Sequence, residues 1–170
     1  MEIKVTMADY SRWEGCDADT LLAELVERLQ QSVGGTLNAE SMARLSSEQL
    51  TLWGYYILRE EVMDGGFVQL IYNGYGPFFF FNPFAKAMRL WGLPELAKLI
   101  NKGKKLYIAN EKELTKERTD SEFMALFEQF PAFDDLDDDF VEEEESFTRS
   151  IAEYVRGHLD VFVTPSAAAE

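Results

Sequence analysis

Residues 60–84 read EEVMDGGFVQLIYNGYGPFFFFNPF, and this stretch decides the fold. Asp64-Gly65-Gly66 ends a helical run, because paired glycines reach the positive φ that closes a helix. Phe67, Leu70 and Ile71 then recur at helical spacing until Asn73-Gly74-Tyr75-Gly76-Pro77 breaks the chain again. Phe78 to Phe81 are four consecutive aromatics, and Asn82-Pro83 reads as an N-cap with proline at the first helical position. Aromatic mass of this density is expected to be buried, which makes the stretch the centre of the core. Its polar members Gln69, Tyr72 and Asn73 are expected to satisfy backbone groups at the turns.

Working upstream, Ser46 and Gln49 have the form of a capping box that opens a helix through Leu50, Trp53, Tyr56, Ile57 and Met63 to the Asp64 break. Asn38 caps a short helix through Arg44. Asp17 or Asp19 caps another, in which Leu21, Leu22, Leu25, Val26 and Leu29 form one apolar stripe ended by Gly34-Gly35. In residues 1–14, Ile3, Val5 and Met7 alternate as in a strand. A lone short strand has little to pair with, so the segment reads as an irregular or extended arm.

Downstream, Phe84, Ala87, Met88 and Trp91 make a helix face stopped by Gly92, and Pro94 starts a further helix to Gly103. A separate helix is expected around Leu106, Tyr107 and Leu114. Thr119 and Glu122 form a second capping box, leading to Phe123, Leu126, Phe127 and Phe130. In the last helix Phe140, Phe147, Ile151, Tyr154 and Val155 share one face. The expected fold is all-α: a single domain of roughly eight helices around an aromatic core, spanning residues 1–163, with a disordered tail at 164–170.

Charge is distributed unevenly. Of the net −15, residues 1–118 hold 16 acids against 14 bases, and residues 119–170 hold 15 acids against 2 bases. A nearly neutral body therefore carries an acidic C-terminal third. Such a field repels nucleic acid and membrane surfaces and attracts basic partners. The start of the chain lacks the apolar run of a signal peptide, and no apolar segment approaches the ~20 residues that span a bilayer, so a cytoplasmic protein is expected. The single cysteine, Cys16, excludes an intrachain disulfide.

Nine of the twelve residues from Asp134 to Glu145 are acidic. The plainest reading is a solvated helix start, where carboxylates favour the positive end of the helix dipole. The sharper reading is a phosphate-like surface. Phe140 and Phe147 would anchor the run to the core, whereas a solubilising tail needs no anchors. Asp134, Asp135, Asp137, Asp138, Asp139, Glu142, Glu143 and Glu145 would face a partner, with Glu144 near the apolar edge. Asp135, Asp137 and Asp139 have the D-x-D-x-D spacing of a calcium loop, but Phe140 stands where glycine is required and Ser146 where glutamate is required, so no metal site is expected.

Glu61-Val62, Asp64-Gly65-Gly66-Phe67, Gln69, Tyr72-Asn73 and Gly76 resemble the signature of the bacterial DNA-mimic domain family, most clearly over 60–76 and more loosely over 46–118. Most members of that family have no assigned function; the best-studied is an acidic protein that occupies a transcription factor's DNA-binding surface. The motif itself is architectural. The resemblance implies an acidic module whose partner is a basic, DNA-binding protein such as a transcription regulator.

Catalysis finds little support. His158 is the only histidine, and no serine or cysteine nucleophile has a recognisable partner motif. Glu60 and Glu61 diverge by about 100° on a helix and cannot share a site. No phosphate loop or dinucleotide fingerprint is present. Lys98, Lys102, Lys104 and Lys105 form one basic cluster, read as favourable charge near a helix C-terminus. The expectation is a non-enzymatic protein with no cofactor and no catalytic residues, binding a basic protein; the sequence leaves a homodimer open. An immunity protein against a basic toxin such as a nuclease uses the same electrostatics, and a hydrolase built on His158 is the third reading.

Overall fold

The computed structural model describes residues 1–167. The chain divides into two compact units, one built from Met1–Tyr56 and the segment from Thr148 onward, the other from Ile57–Phe147. The fold is all-α, as the apolar periodicity requires: ten α-helices and one two-stranded parallel sheet among the described residues.

The first unit holds β1 (Lys4–Thr6), α1 (Met7–Trp13), α2 (Ala18–Val33), α3 (Ala39–Arg44), the start of α4 (Ser47–Tyr72), the end of α9 (Asp134–Gly157), α10 (Leu159–Phe162) and β2 (Thr164–Ser166). Asp17 caps α2 by accepting from the Thr20 amide, and all five residues of the expected stripe, Leu21 to Leu29, are buried. Asn38 caps α3 in a reciprocal box with Ser41. Trp13 is fully buried, with its indole N–H donating to Glu24 at 2.6 Å, and Arg12 grips the same carboxylate.

Two features of this unit differ from expectation. The N-terminal arm is extended at β1, one of its two expected forms, but it is paired and short: β1 pairs in parallel with β2, Val5 opposite Pro165, and α1 follows it. The strand does have a partner, but about 160 residues away, where no local pattern announces it. By the same pairing, Thr164–Ser166 is strand rather than disordered tail; residues 168–170 lie outside the described residues.

Gln49 ties these ends together. Its Oε1 accepts from the Ser46 amide at 3.0 Å, and the Ser46 hydroxyl accepts from the Gln49 amide at 3.2 Å, which is the expected box. Its Nε2 then donates to the carbonyls of both Met1 and Phe162, each at 2.8 Å. The Gln49 side chain is buried, so its polar atoms must find protein partners, and these bonds supply them.

The second unit comprises the rest of α4, α5 (Gly76–Phe81), α6 (Phe84–Leu90), α7 (Pro94–Thr115), α8 (Asp120–Gln129), a 3-10 turn at Pro131–Phe133 and the first part of α9. α4 is two helices joined at a kink: Gly65 is non-helical, and Gly66 takes φ +73°. The quoted stretch does supply this unit's core, with Phe67, Leu70, Ile71, Phe79, Phe80 and Phe84 all buried. Of the four consecutive phenylalanines, Phe78 is half-buried and Phe81 is 56% exposed. Phe78–Phe81 form a helix, so at about 100° per residue four neighbours cannot all face inward. Asn82 does not cap α6, which begins at Phe84 without a side-chain cap.

Gly103 does not end a helix either. α7 runs through it to Thr115 because the glycine is a notch: a Cβ there would lie 3.2 Å from the Phe80 ring. The expected separate helix around Leu106 is thus the second half of α7. Lys98, Lys102, Lys104 and Lys105 accordingly sit in mid-helix, not at a C-terminus. The Thr119–Glu122 box forms as expected at the start of α8.

Gln49→Ala is expected to destabilise the protein by about 1–3 kcal/mol, since several buried backbone groups lose their partner together. Urea unfolding measures the loss, and hydrogen exchange should show the β1–β2 amides losing protection first.

Candidate functional site: a carboxylate face on α9

Helical periodicity divides the acidic run into two sets. Leu136, Phe140, Phe147 and Ile151 are buried and hold α9 down. Asp134, Asp135, Asp138, Asp139, Glu142, Glu143 and Glu145 are exposed. They fall into two rows: Asp134, Asp138, Glu142 and Glu145 along one line, Asp135, Asp139 and Glu143 beside it. At about 1.5 Å of rise per residue the run is roughly 16 Å long. Seven carboxylates over that length give one charge per roughly 2.4 Å, against ~1.7 Å for duplex DNA. The exposed Arg149, one turn beyond Glu145, closes the face.

Two carboxylates of the run turn inward. Glu144 is 8% exposed and forms an ion pair with Arg59 Nε at 2.5 Å, which explains its place at the apolar edge. Asp137 was expected on the outer face, yet its Oδ1 accepts from the Phe67 amide at 2.8 Å. Phe67 opens the second half of α4, so Asp137 caps that half-helix from a different element. Gly66 makes the approach possible: a Cβ at this glycine would lie 2.3 Å from Asp137 Oδ2. The glycine of the motif and an aspartate 71 positions later are therefore one structure. The signal was present in the sequence, because Asp137, Phe140, Glu144 and Thr148 recur at i, i+3, i+7 and i+11, the seam of the buried face.

Burial pushes the Asp137 carboxyl up to about 6; the Phe67 amide opposes the shift, and Asp134 and Asp138 add to it. The other motif residues surround the same kink. Gln69 donates to Asp64 at 2.8 Å and to Glu61 at 3.1 Å, and Asn73 donates to Glu61 at 2.8 Å. These amides serve carboxylates, not the turn backbone that was expected, so the kink is braced side chain to side chain. Tyr72 does meet backbone: it donates to the Arg118 carbonyl at 3.3 Å, and its ring stacks on Phe123 at 4.5 Å between centroids. Gly76 is buried beneath the Tyr107 ring.

The remaining candidates are not brought together with this face. Asp135, Asp137 and Asp139 lie within an α-helix, where successive side chains diverge, so they cannot wrap an ion as a calcium loop does. His158 is exposed, stacks on Tyr154 and lies with Nδ1 2.7 Å from the Tyr154 carbonyl. No helix among the described residues is long and apolar enough to cross a membrane.

Fold and site together define an all-α protein that presents a doubly lined carboxylate face beside a glycine-kinked helix. A family model described as DMP19-like protein matches residues 43–158, which takes in the kink and the whole carboxylate face. The DNA mimic protein DMP19 of Neisseria meningitidis serogroup B (strain ATCC BAA-335 / MC58) is 33% identical over 144 residues, covering 84% of this chain and 84% of that protein. The chain belongs to the DMP19-like family.

The folded pKa of Asp137, about 6, lies above the ordinary aspartate value of about 3.9, so the folded chain holds this proton more tightly than the unfolded one. The stability this contributes is complete below about pH 4 and is lost as pH rises through 6. Asp137→Asn keeps an acceptor for Phe67 without the charge; it should flatten the pH dependence of stability across that window. Asp137→Ala removes the acceptor and should cost about 1–3 kcal/mol. Denaturant unfolding at several pH values distinguishes the two.

Proposed function

We propose that this protein is a non-enzymatic DNA mimic: the α9 face occupies the basic nucleic-acid-binding surface of a DNA-binding protein, most simply a transcription regulator. The observation that carries the reading is the pair of exposed carboxylate rows on a helix whose opposite face is buried, at a linear charge density approaching that of DNA. A merely solubilising segment gains nothing from Leu136, Phe140 and Phe147 locking it in place. The name of the Neisseria relative supports the same reading. Lysine and arginine side chains of the partner would take the place of counterions, and the partner's own DNA would be excluded.

Capture from a native lysate tests this, comparing the wild-type chain with one carrying Asp138→Asn, Asp139→Asn, Glu142→Gln and Glu143→Gln. These four side chains are exposed, so the fold should be unaffected. A basic DNA-binding protein should be retained by the wild type and released by salt or by competing duplex DNA. The substituted chain should bind at least about tenfold more weakly, chiefly through a slower on-rate. Binding insensitive to both salt and these substitutions would overturn the proposal, and capture of a basic toxin would replace it with an immunity function.

A further inference from the structure

α7 carries a second charged face, opposite in sign to the first. Lys98, Lys102, Lys105 and Lys112 recur at i, i+4, i+7 and i+14, Ala109 takes the i+11 place, and Lys116, the C-cap just past the helix, stands at i+18; all six are exposed. Five of the sixteen basic residues in a chain of net charge −15 thus lie on one line. Lys98 is paired within its own helix, with Glu95 at 2.9 Å. Among the described residues, Lys102, Lys105 and Lys112 meet no carboxylate as an ion pair, and Lys116 makes none within ion-pair distance, although its charge helps hold the Glu122 carboxyl below its ordinary value.

The complement is on α9. Asp134, Asp138, Val141 and Glu145 recur at i, i+4, i+7 and i+11, and Val141 is 50% exposed in the middle of that charged line. Read in reverse, the spacing is that of Lys105, Ala109, Lys112 and Lys116. Antiparallel alignment therefore sets Glu145 against Lys105, Asp138 against Lys112 and Asp134 against Lys116. The exposed valine meets the alanine, whose small side chain lets the helices approach. Because both lines have the helical pitch of about 5.4 Å per turn from Lys105 to Lys112, those pairs stay in register, and Lys116 follows as the residue that caps the end of α7. Nucleic acid offers no such match, and the protein's net charge repels it.

We propose that the lysine face of α7 docks the α9 face of a second copy of this chain, in that antiparallel register. The contact is dominated by exposed ion pairs, so it is weak and salt-sensitive. Repulsion between two acidic copies is screened beyond about 8 Å at physiological ionic strength, while the facing charges are closer than that. Self-association and capture of a basic partner then compete for the same carboxylates. Copies held in reserve on one another would yield to a stronger cationic surface.

Sedimentation velocity at rising protein concentration, in low and in high salt, reads the contact directly. The wild type should self-associate in low salt and dissociate in high salt. Lys105→Glu, Lys112→Glu and Lys116→Glu together should raise the concentration midpoint at least about tenfold, as should Asp134→Lys, Asp138→Lys and Glu145→Lys together. Circular dichroism confirms that each variant is folded. Mixing the two charge-reversed chains should restore association between them, because the pairs are re-formed with exchanged signs. A wild type that stays monomeric, or that associates equally well in either variant, or a mixture that does not associate, would overturn the proposal. The lysine variant keeps the α9 face intact, so its capture of a basic partner tests the DNA-mimic reading separately.

Discussion

The hydrogen bond from the Phe67 amide to Asp137 is the interaction on which the second unit turns. It caps a half-helix that the two glycines have set free, and it fixes the first turn of α9 against the kink. Each partner would be a liability alone. Phe67 would open a helix with an unmet amide, and Asp137 would be a half-buried carboxylate whose ionisation burial opposes. Gly66 is required by both, since only a residue without a Cβ leaves room for the carboxylate at a positive φ. Glu61, Asp64, Gln69 and Asn73 then brace the bend, which makes the sequence motif a joint, not a ligand site.

A consequence is that the nine acids of the run do two different things. Asp137 and Glu144 face protein donors, and the other seven are left to solvent. Gathering them has a cost. Like charges at i, i+4 destabilise a helix by a few tenths of a kcal/mol each, so the four such pairs amount to about 1–2 kcal/mol. One fully buried phenylalanine contributes about 1.5–3 kcal/mol, and α9 buries Phe140 and Phe147 as well as Leu136. Burial wins, and the face stays ordered while carrying more charge than solubility requires.

Local chemistry was readable and distant chemistry was not. The Asp17 cap, the Ser46–Gln49 and Thr119–Glu122 boxes, the stripe from Leu21 to Leu29 and the Asp64-Gly65-Gly66 break all rest on residues within a turn or two of each other. The strand at Lys4–Thr6 needs a partner from the far end of the chain, so its alternation was uninformative alone. Gly103 looked like a stop because propensity cannot see that Phe80 fills the space a side chain would take. Composition suggests burial of all four consecutive phenylalanines, whereas the helical period turns Phe81 outward. At the α9 face, the exposed positions followed from periodicity. Asp137 is acidic like its neighbours, but its angular position beside Phe140 turns it toward the Phe67 amide.

Gln49 has an implication for the order in which the molecule can be made. Its amide needs the Phe162 carbonyl, 113 residues further along, and β1 needs β2. The first unit is thus interrupted by all of Ile57–Phe147 and cannot be completed until the final helices have been synthesised. The second unit is contiguous, and every one of its residues is available earlier. Translation therefore supplies every residue of the carboxylate-bearing unit before it supplies the residues that complete the first, so the chain's two ends can be joined only as the last step.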